Sequence, residues 1–170
     1  MNTLARNKLV PKSTKTNSKP LFPLSVGTKK QKLTKSFWSK AFSYEREIIG
    51  FEKPLIQKVQ YVPSHKYLEI QVVDPKTKEI HASVYCRKQP KDSLKVPTAW
   101  IESVHVDKGF AGKGLATQML TEAIDVLHKS GVRNIYASVI TPHKAIYELL
   151  GFEVVGQGKI STKYLKHFTK

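Results

Sequence analysis

The stretch from residue 98 to residue 140 admits few folds. Residues 98–106 (Thr-Ala-Trp-Ile-Glu-Ser-Val-His-Val) read as a strand, and they run straight into Asp107-Lys108-Gly109-Phe110-Ala111-Gly112-Lys113-Gly114. Apolar residues then recur at Leu115, Ala116, Met119, Leu120, Ala123, Ile124 and Leu127, a helical stripe with Lys129 in its last turn and Gly131 just beyond it. Residues 132–140 form a second β-branched run. A strand, a glycine turn, a helix and a strand in that order predict two parallel strands joined by a right-handed crossover.

The flanking chain predicts antiparallel hairpins. Residues 66–73 and 79–87 alternate or run β-branched, and Asp74-Pro75-Lys76-Thr77-Lys78 between them has turn chemistry. Thr141 as a cap and Pro142 in the first turn predict a short helix through Leu150, stopped by Gly151. Residues 152–155 and 160–168 predict a closing hairpin across Gly156-Gln157-Gly158. Upstream, Leu33, Phe37, Trp38, Ala41, Phe42, Ile48 and Ile49 follow a helical rhythm closed by Gly50, with the aromatic members packing that helix onto the sheet. Pro54 suits the start of a second short helix, and residues 21–26 read as an edge strand despite Pro23.

Charge is distributed unevenly over the 170 residues. Lys and Arg number 29 against 13 Asp and Glu, a formal net charge of +16; the first acid is Glu45, and the ten basic side chains before it give residues 1–44 a charge of +10. Residues 1–20 hold little to bury and cannot offset about 1–2 kcal/mol per residue of backbone ordering entropy. We expect a basic tail over 1–20, disordered when alone, ahead of a domain over 21–170. Such a segment suits counterion release on nucleic acid or an acidic particle surface through residues 1–44. A merely solvated tail and a transit peptide are the competing readings, the second opposed by a single Arg and the lack of an amphipathic stripe. No run approaches the roughly 18 apolar residues of a membrane span, so no membrane partner is expected. The lone Cys86 argues against a disulfide framework or a Cys-rich metal site and points to an intracellular address, cytoplasmic or nucleoprotein-associated, with organelle targeting open.

Glycines at a helix start let the backbone approach a ligand, and the unpaired amides there favour an anion, so the loop predicts a phosphate-bearing cofactor. A P-loop fails, because counting from Gly109 puts Leu115 and Ala116 where Lys and Ser/Thr belong. A dinucleotide fingerprint fits poorly: Thr117 replaces the third glycine and Val132 stands where the ribose-binding acid belongs.

A third pattern fits. Val106 stands five residues before Ala111-Gly112-Lys113-Gly114-Leu115-Ala116, and Ala145-Ile146-Tyr147-Glu148-Leu149-Leu150-Gly151-Phe152 follows downstream. Residues 98–168 resemble the GNAT superfamily of acetyl-CoA-dependent N-acetyltransferases, whose loop signature is Gln/Arg-x-x-Gly-x-Gly/Ala and whose later motif is Leu-Tyr-Glu-Lys-Leu-Gly-Phe. The resemblance implies a GNAT-like α+β (mixed α/β) fold, a central mixed, mostly antiparallel sheet with a parallel βαβ pair splayed to form the cofactor cleft. It implies acetyl-CoA as co-substrate, an amine acceptor, and cofactor contacts from Val104, Val106, Ala111, Gly112, Lys113, Gly114, Leu115 and Ala116. Ala111 replaces the family's Gln/Arg, and Ile140-Thr141-Pro142 replaces the Asn that often precedes the last helix.

Acetylation of an amine by a thioester needs a deprotonated amine, a stabilised oxyanion and a proton for the departing thiolate. A lysine-type amine, with a pKa of about 10.4, is almost wholly protonated at pH 7, so a base raises its reactive fraction. Glu102, the one carboxylate in an otherwise apolar strand, is the candidate base; a solvent-facing or lysine-paired carboxylate is the other reading. Tyr147 matches the tyrosine that donates the proton to the thiolate in many relatives; a core tyrosine with a surface hydroxyl is its alternative. Backbone amides near Val104 or Val106 would polarise the oxyanion. His105 alternates to the other face from Glu102 and is expected to be structural; His143 is expected near the site as a solvated helix residue, and His65, His81, His128 and His167 show no metal-ligand spacing. The basic charge repels polyamines and aminoglycosides and favours a macromolecular acceptor. The alternative is a catalytically weak or inactive GNAT-like structural or binding protein, held by its tail on nucleic acid or within a nucleoprotein or viral particle.

Overall fold

The structure, a computed structural model, describes residues 41–62, 66–89 and 96–169. The basic tail, the residue 21–26 strand and the Leu33, Phe37 and Trp38 part of the first helix lie outside these residues. Among the described residues eight strands form one sheet: β1 (Phe42–Ile48), β2 (Leu55–Val62), β3 (Tyr67–Val73), β4 (Ile80–Gln89), β5 (Thr98–Val106), β6 (Asn134–Ile140), β7 (Glu153–Gln157) and β8 (Ser161–His167). Their spatial order is β1-β2-β3-β4-β5-β6-β8-β7. Of these strands only β5 and β6 pair in parallel, and helix α1 (Leu115–Lys129) crosses between them; α2 (Lys144–Leu149) links β6 to β7. This is the expected mixed, mostly antiparallel sheet.

Two expected helices are strands. Residues 42–48 form β1, in which Phe42, Tyr44, Arg46 and Ile48 turn inward while Ser43, Glu45 and Glu47 face out. This alternation of period two overrides the helical rhythm because β2 offers a partner: Phe42 lies opposite Tyr61, ring centroids 5.1 Å apart. Pro54 precedes β2 instead of opening a helix, and Leu55, Gln57, Val59 and Tyr61 of that strand are all buried.

The hairpin between β3 and β4 forms as its composition dictates. Asp74 Oδ1 accepts from the Lys76 and Thr77 amides at 2.7 and 3.1 Å, and the Asp74 carbonyl accepts from Lys78 N at 2.9 Å. The Lys76 and then the Thr77 amide hold the Asp74 carboxyl below the usual carboxylate range. A depressed native pKa stabilises the fold above the unfolded value and loses that contribution as pH falls through the native one. Asp74→Asn is therefore expected to lower the thermal midpoint at neutral pH and to flatten its fall on acidification below about pH 4, followed by circular dichroism.

One sheet face carries the core. Leu68, Ile70 and Val72 of β3, Ala82, Val84 and Cys86 of β4, Ala99 and Ile101 of β5, and Ile135, Ala137 and Val139 of β6 are buried together with Met119, Leu120, Ala123 and Leu127 of α1. On the same face α2 packs Tyr147 against Tyr164 of β8 (5.9 Å, stacked) and Phe152 (5.4 Å, edge-on). The opposite face, with Tyr67, Tyr85, Trp100 and Tyr136 half-buried, carries no helix among the described residues.

Candidate active site

β5 and β6 run side by side only from Thr98↔Asn134 to Ile101↔Ala137. Beyond that point residues 103–106 stay with β4, while Ser138, Val139 and Ile140 stay with β8, so the two strands part. The gap is a cavity of about 840 Å³. Both of its sides, the glycine turn and the last helix supply its lining. Of the residues expected at the site, Glu102, Val104, Val106, Ala111, Gly112, Gly114, Leu115, Ala116 and Tyr147 all reach it. Lys113 does not: its Nζ lies 5.4 Å from the Phe110 ring. Ser103, His105 and Ser138 also line the gap and were not expected there, and so does His143, expected near the site as a solvated helix residue.

The turn at the mouth of the cavity fits an anion. Asp107 N donates to the His81 carbonyl at 2.8 Å, fixing the strand end, and Phe110 N and Ala111 N donate back to Asp107 and Lys108 carbonyls. The first amide to donate onward is Gln118 N, to Gly114 O at 3.0 Å. Among the described residues, the amides from Gly112 through Thr117 make no backbone bond of this kind. Gly112 (φ +74°) and Gly114 (φ +82°) hold left-handed conformations that side-chain-bearing residues disfavour. Six open donors beside the positive end of a 15-residue helix are the donor set a diphosphate requires.

The same strand end is braced by a hydrogen-bonded cluster. Asp107 Oδ1 meets His105 Nε2 at 3.0 Å and Oδ2 meets His81 Nδ1 at 3.1 Å. These bonds, that from His105 first, hold the Asp107 carboxyl below its usual range. His81 in turn stacks on Phe110 (4.4 Å), so the turn is pinned from its side-chain face as well.

A β-bulge changes the parity of β5. Tyr85 lies opposite Ser103 but Cys86 lies opposite Ile101, which leaves Glu102 as an extra residue. Ile101 and Val104 therefore share the buried face, whereas Trp100, Ser103 and His105 share the helix-free one. Glu102 reaches the same side, where it hydrogen-bonds Arg87 Nη2. The expected alternation of His105 away from Glu102 is thus wrong, because the inserted residue resets the count. Arg87, on the neighbouring strand, could not be paired with Glu102 from spacing alone.

Tyr147 is clamped between Phe152 and Tyr164, and Tyr164 Oη donates to Glu148 Oε1 at 2.8 Å. Burial, with a smaller contribution from Cys86, pushes the Tyr147 hydroxyl up to about 12. It stays protonated across the physiological range and can donate into the cavity. Burial, then the nearby Glu102 charge, drives the Cys86 thiol upward, which makes it inert. Thr141 makes no capping bond; it lies in a single 3₁₀ turn, Thr141–His143, that leads into α2.

Comparison with known proteins agrees with this geometry. Among curated protein sequences none matches the chain. Solved structures do: NAA60 of Arabidopsis thaliana in complex with a bisubstrate analogue is 17% identical with a TM-score of 0.53, over 62% of this chain and 78% of that one. The NatC complex bound to Gag peptide and CoA matches at 18% identity and a TM-score of 0.52, over 59% and 71% of the two chains. PaiA N-acetyltransferase of Thermoplasma acidophilum in complex with coenzyme A matches at 13% identity and 0.51, over 61% and 62%. The description "Acetyltransferase (GNAT) family" matches residues 32–152. The chain belongs to the GNAT acetyltransferase family.

Proposed function

We propose that the chain is an acetyl-CoA-dependent N-acetyltransferase that acts by direct attack of an amine on the thioester. The observation that carries this reading is the run of open amides from Gly112 to Thr117 at the end of a gap that also holds Tyr147 and Glu102. The amides and the helix dipole would hold the diphosphate, with Lys113 adding charge from outside the lining. Val104 and Val106, half-buried along one wall, would flank the pantetheine arm. Acetyl-CoA supplies the activated acetyl group, and every other requirement falls to the protein. Tyr147 would give a hydrogen bond or proton to the departing sulfur. Glu102, directly or through water, would take a proton from the acceptor's ammonium, and the neutral amine would then attack the thioester carbon. Arg87 Nη2 donates to Glu102 Oε1, so the acceptor must displace that guanidinium or approach the other carboxylate oxygen. The similar NatC complex, bound to Gag peptide and CoA, supports a peptide amine as acceptor.

The Arg87–Glu102 pair favours one alternative, a domain that holds the cofactor and transfers slowly or not at all. Calorimetry with CoA, followed by acetyl transfer to free-amine peptides read by mass spectrometry, separates the two. A ligand at 100 times its dissociation constant adds about 2.7 kcal/mol of stability. We expect that gain together with acetylated peptide. Stabilisation without product supports the alternative, and no stabilisation at millimolar CoA removes both.

A further inference from the structure

We propose that Trp100, Tyr136 and Lys163 form an acceptor-selecting platform that favours a peptide α-amine followed closely by an acidic residue. The inference rests on the acetyltransferase reading and extends it to substrate class. α1 and α2 cover one side of the gap, where Leu115, Leu120, Ile146 and Tyr147 line it. The other face carries no helix among the described residues, and we take the amine to enter from there. What it meets there is defined by register. Trp100 and Tyr136 lie side by side one residue before the strands part, stacked at 5.1 Å and 23°. Lys163, opposite Ser138 on β8, leans across both rings, with Nζ 4.9 Å from the Tyr136 centroid and 5.2 Å from that of Trp100.

The charges on this face are unequal in availability. Arg87 is compensated by Glu102, and Ser138 is occupied with Ser161 at 3.0 Å. The acid on this face of β3, Glu69, bonds Gln71 Nε2 at 2.8 Å. Lys163 is exposed and forms no ion pair among the described residues. Adjacent strands lie about 5 Å apart, so a carboxylate one or two residues from an amine in the gap can reach Nζ. The flat aromatic pair suits an apolar first side chain, and the ammonium above it repels a basic second one.

The test uses two peptides with a free α-amine, carrying either Asp-Glu or Lys-Lys at positions two and three. Trp38 and Trp100 are the only tryptophans, so a Trp38→Phe background makes fluorescence report on Trp100 alone. In the full chain, with and without CoA, the acidic peptide is expected to quench Trp100 at roughly tenfold lower concentration than the basic one. Lys163→Met, which keeps the stem on the rings, should abolish the preference, and Lys163→Glu should reverse it. Acetyl transfer should follow the same order. If quenching keeps this order while no acetyl is transferred, the platform stands and the catalytic reading falls. An order unchanged in Lys163→Glu, or stronger quenching by an octathymidylate than by the acidic peptide, overturns the platform.

Discussion

Tyr147→Phe is expected to slow acetyl transfer by about ten- to a hundredfold, the usual contribution of a positioned proton donor, while leaving CoA affinity within about twofold. The split follows from where the ring sits. Its body packs against Phe152 and Tyr164, contacts that phenylalanine preserves, and only the hydroxyl is lost. The same substitution should alter alkaline stability. The Tyr147 hydroxyl is held near 12 in the native state against 10.0 ordinarily, so the unfolded chain ionises first. Its contribution, about 2–3 kcal/mol, is fully present below pH 10 and is lost as pH rises toward 12. Tyr44 and Tyr164 are raised as well, by burial first and then by Glu122 and Glu148 respectively, so the variant should flatten the alkaline limb only in part. A normal transfer rate combined with a flattened limb would make Tyr147 a core residue and nothing more.

How much of this was legible depended on the range of the interactions involved. The residue 98–140 unit could be read because each of its signals is local: a β-branched run, glycines at a helix start, and a stripe of period 3.6. The gap lining, Lys113 apart, followed from the family resemblance that this unit and the Tyr147 motif carry. β1 could not be separated from a helix, since Phe42, Tyr44 and Ile48 satisfy period two only once Tyr61 and Val59 of β2 are known to lie opposite. The bulge at Glu102 was invisible for the same reason. A one-residue insertion exists only relative to a partner strand, and with it came the parity of His105 and the Arg87 partner of the candidate base. The platform of Trp100, Tyr136 and Lys163 joins three strands, two of them more than 25 residues away in the chain, and no spacing rule reaches it.

Gly114→Val should abolish the stabilisation that CoA confers, about 2.7 kcal/mol at 100 times the dissociation constant in the wild type. Gly114 caps α1 at φ +82° and ψ 0°, a conformation that costs an L-residue on the order of 1–2 kcal/mol and more for a β-branched one. Relief of that strain turns the peptide plane and moves the Leu115 and Ala116 amides out of convergence, so an anion loses several donors at once. Folding without ligand should survive, because the core face of α1 is untouched, and circular dichroism of the ligand-free variant checks this. Gly109→Ala supplies the contrast. A Cβ at that position meets nothing within 4 Å and no positive φ is required, so CoA should stabilise that variant as it does the wild type. Equal stabilisation of both variants would mean that the anion is held by side chains such as Lys113 and Lys108. The backbone cradle, and the role assigned to residues 112–117, would then be wrong even if CoA binds.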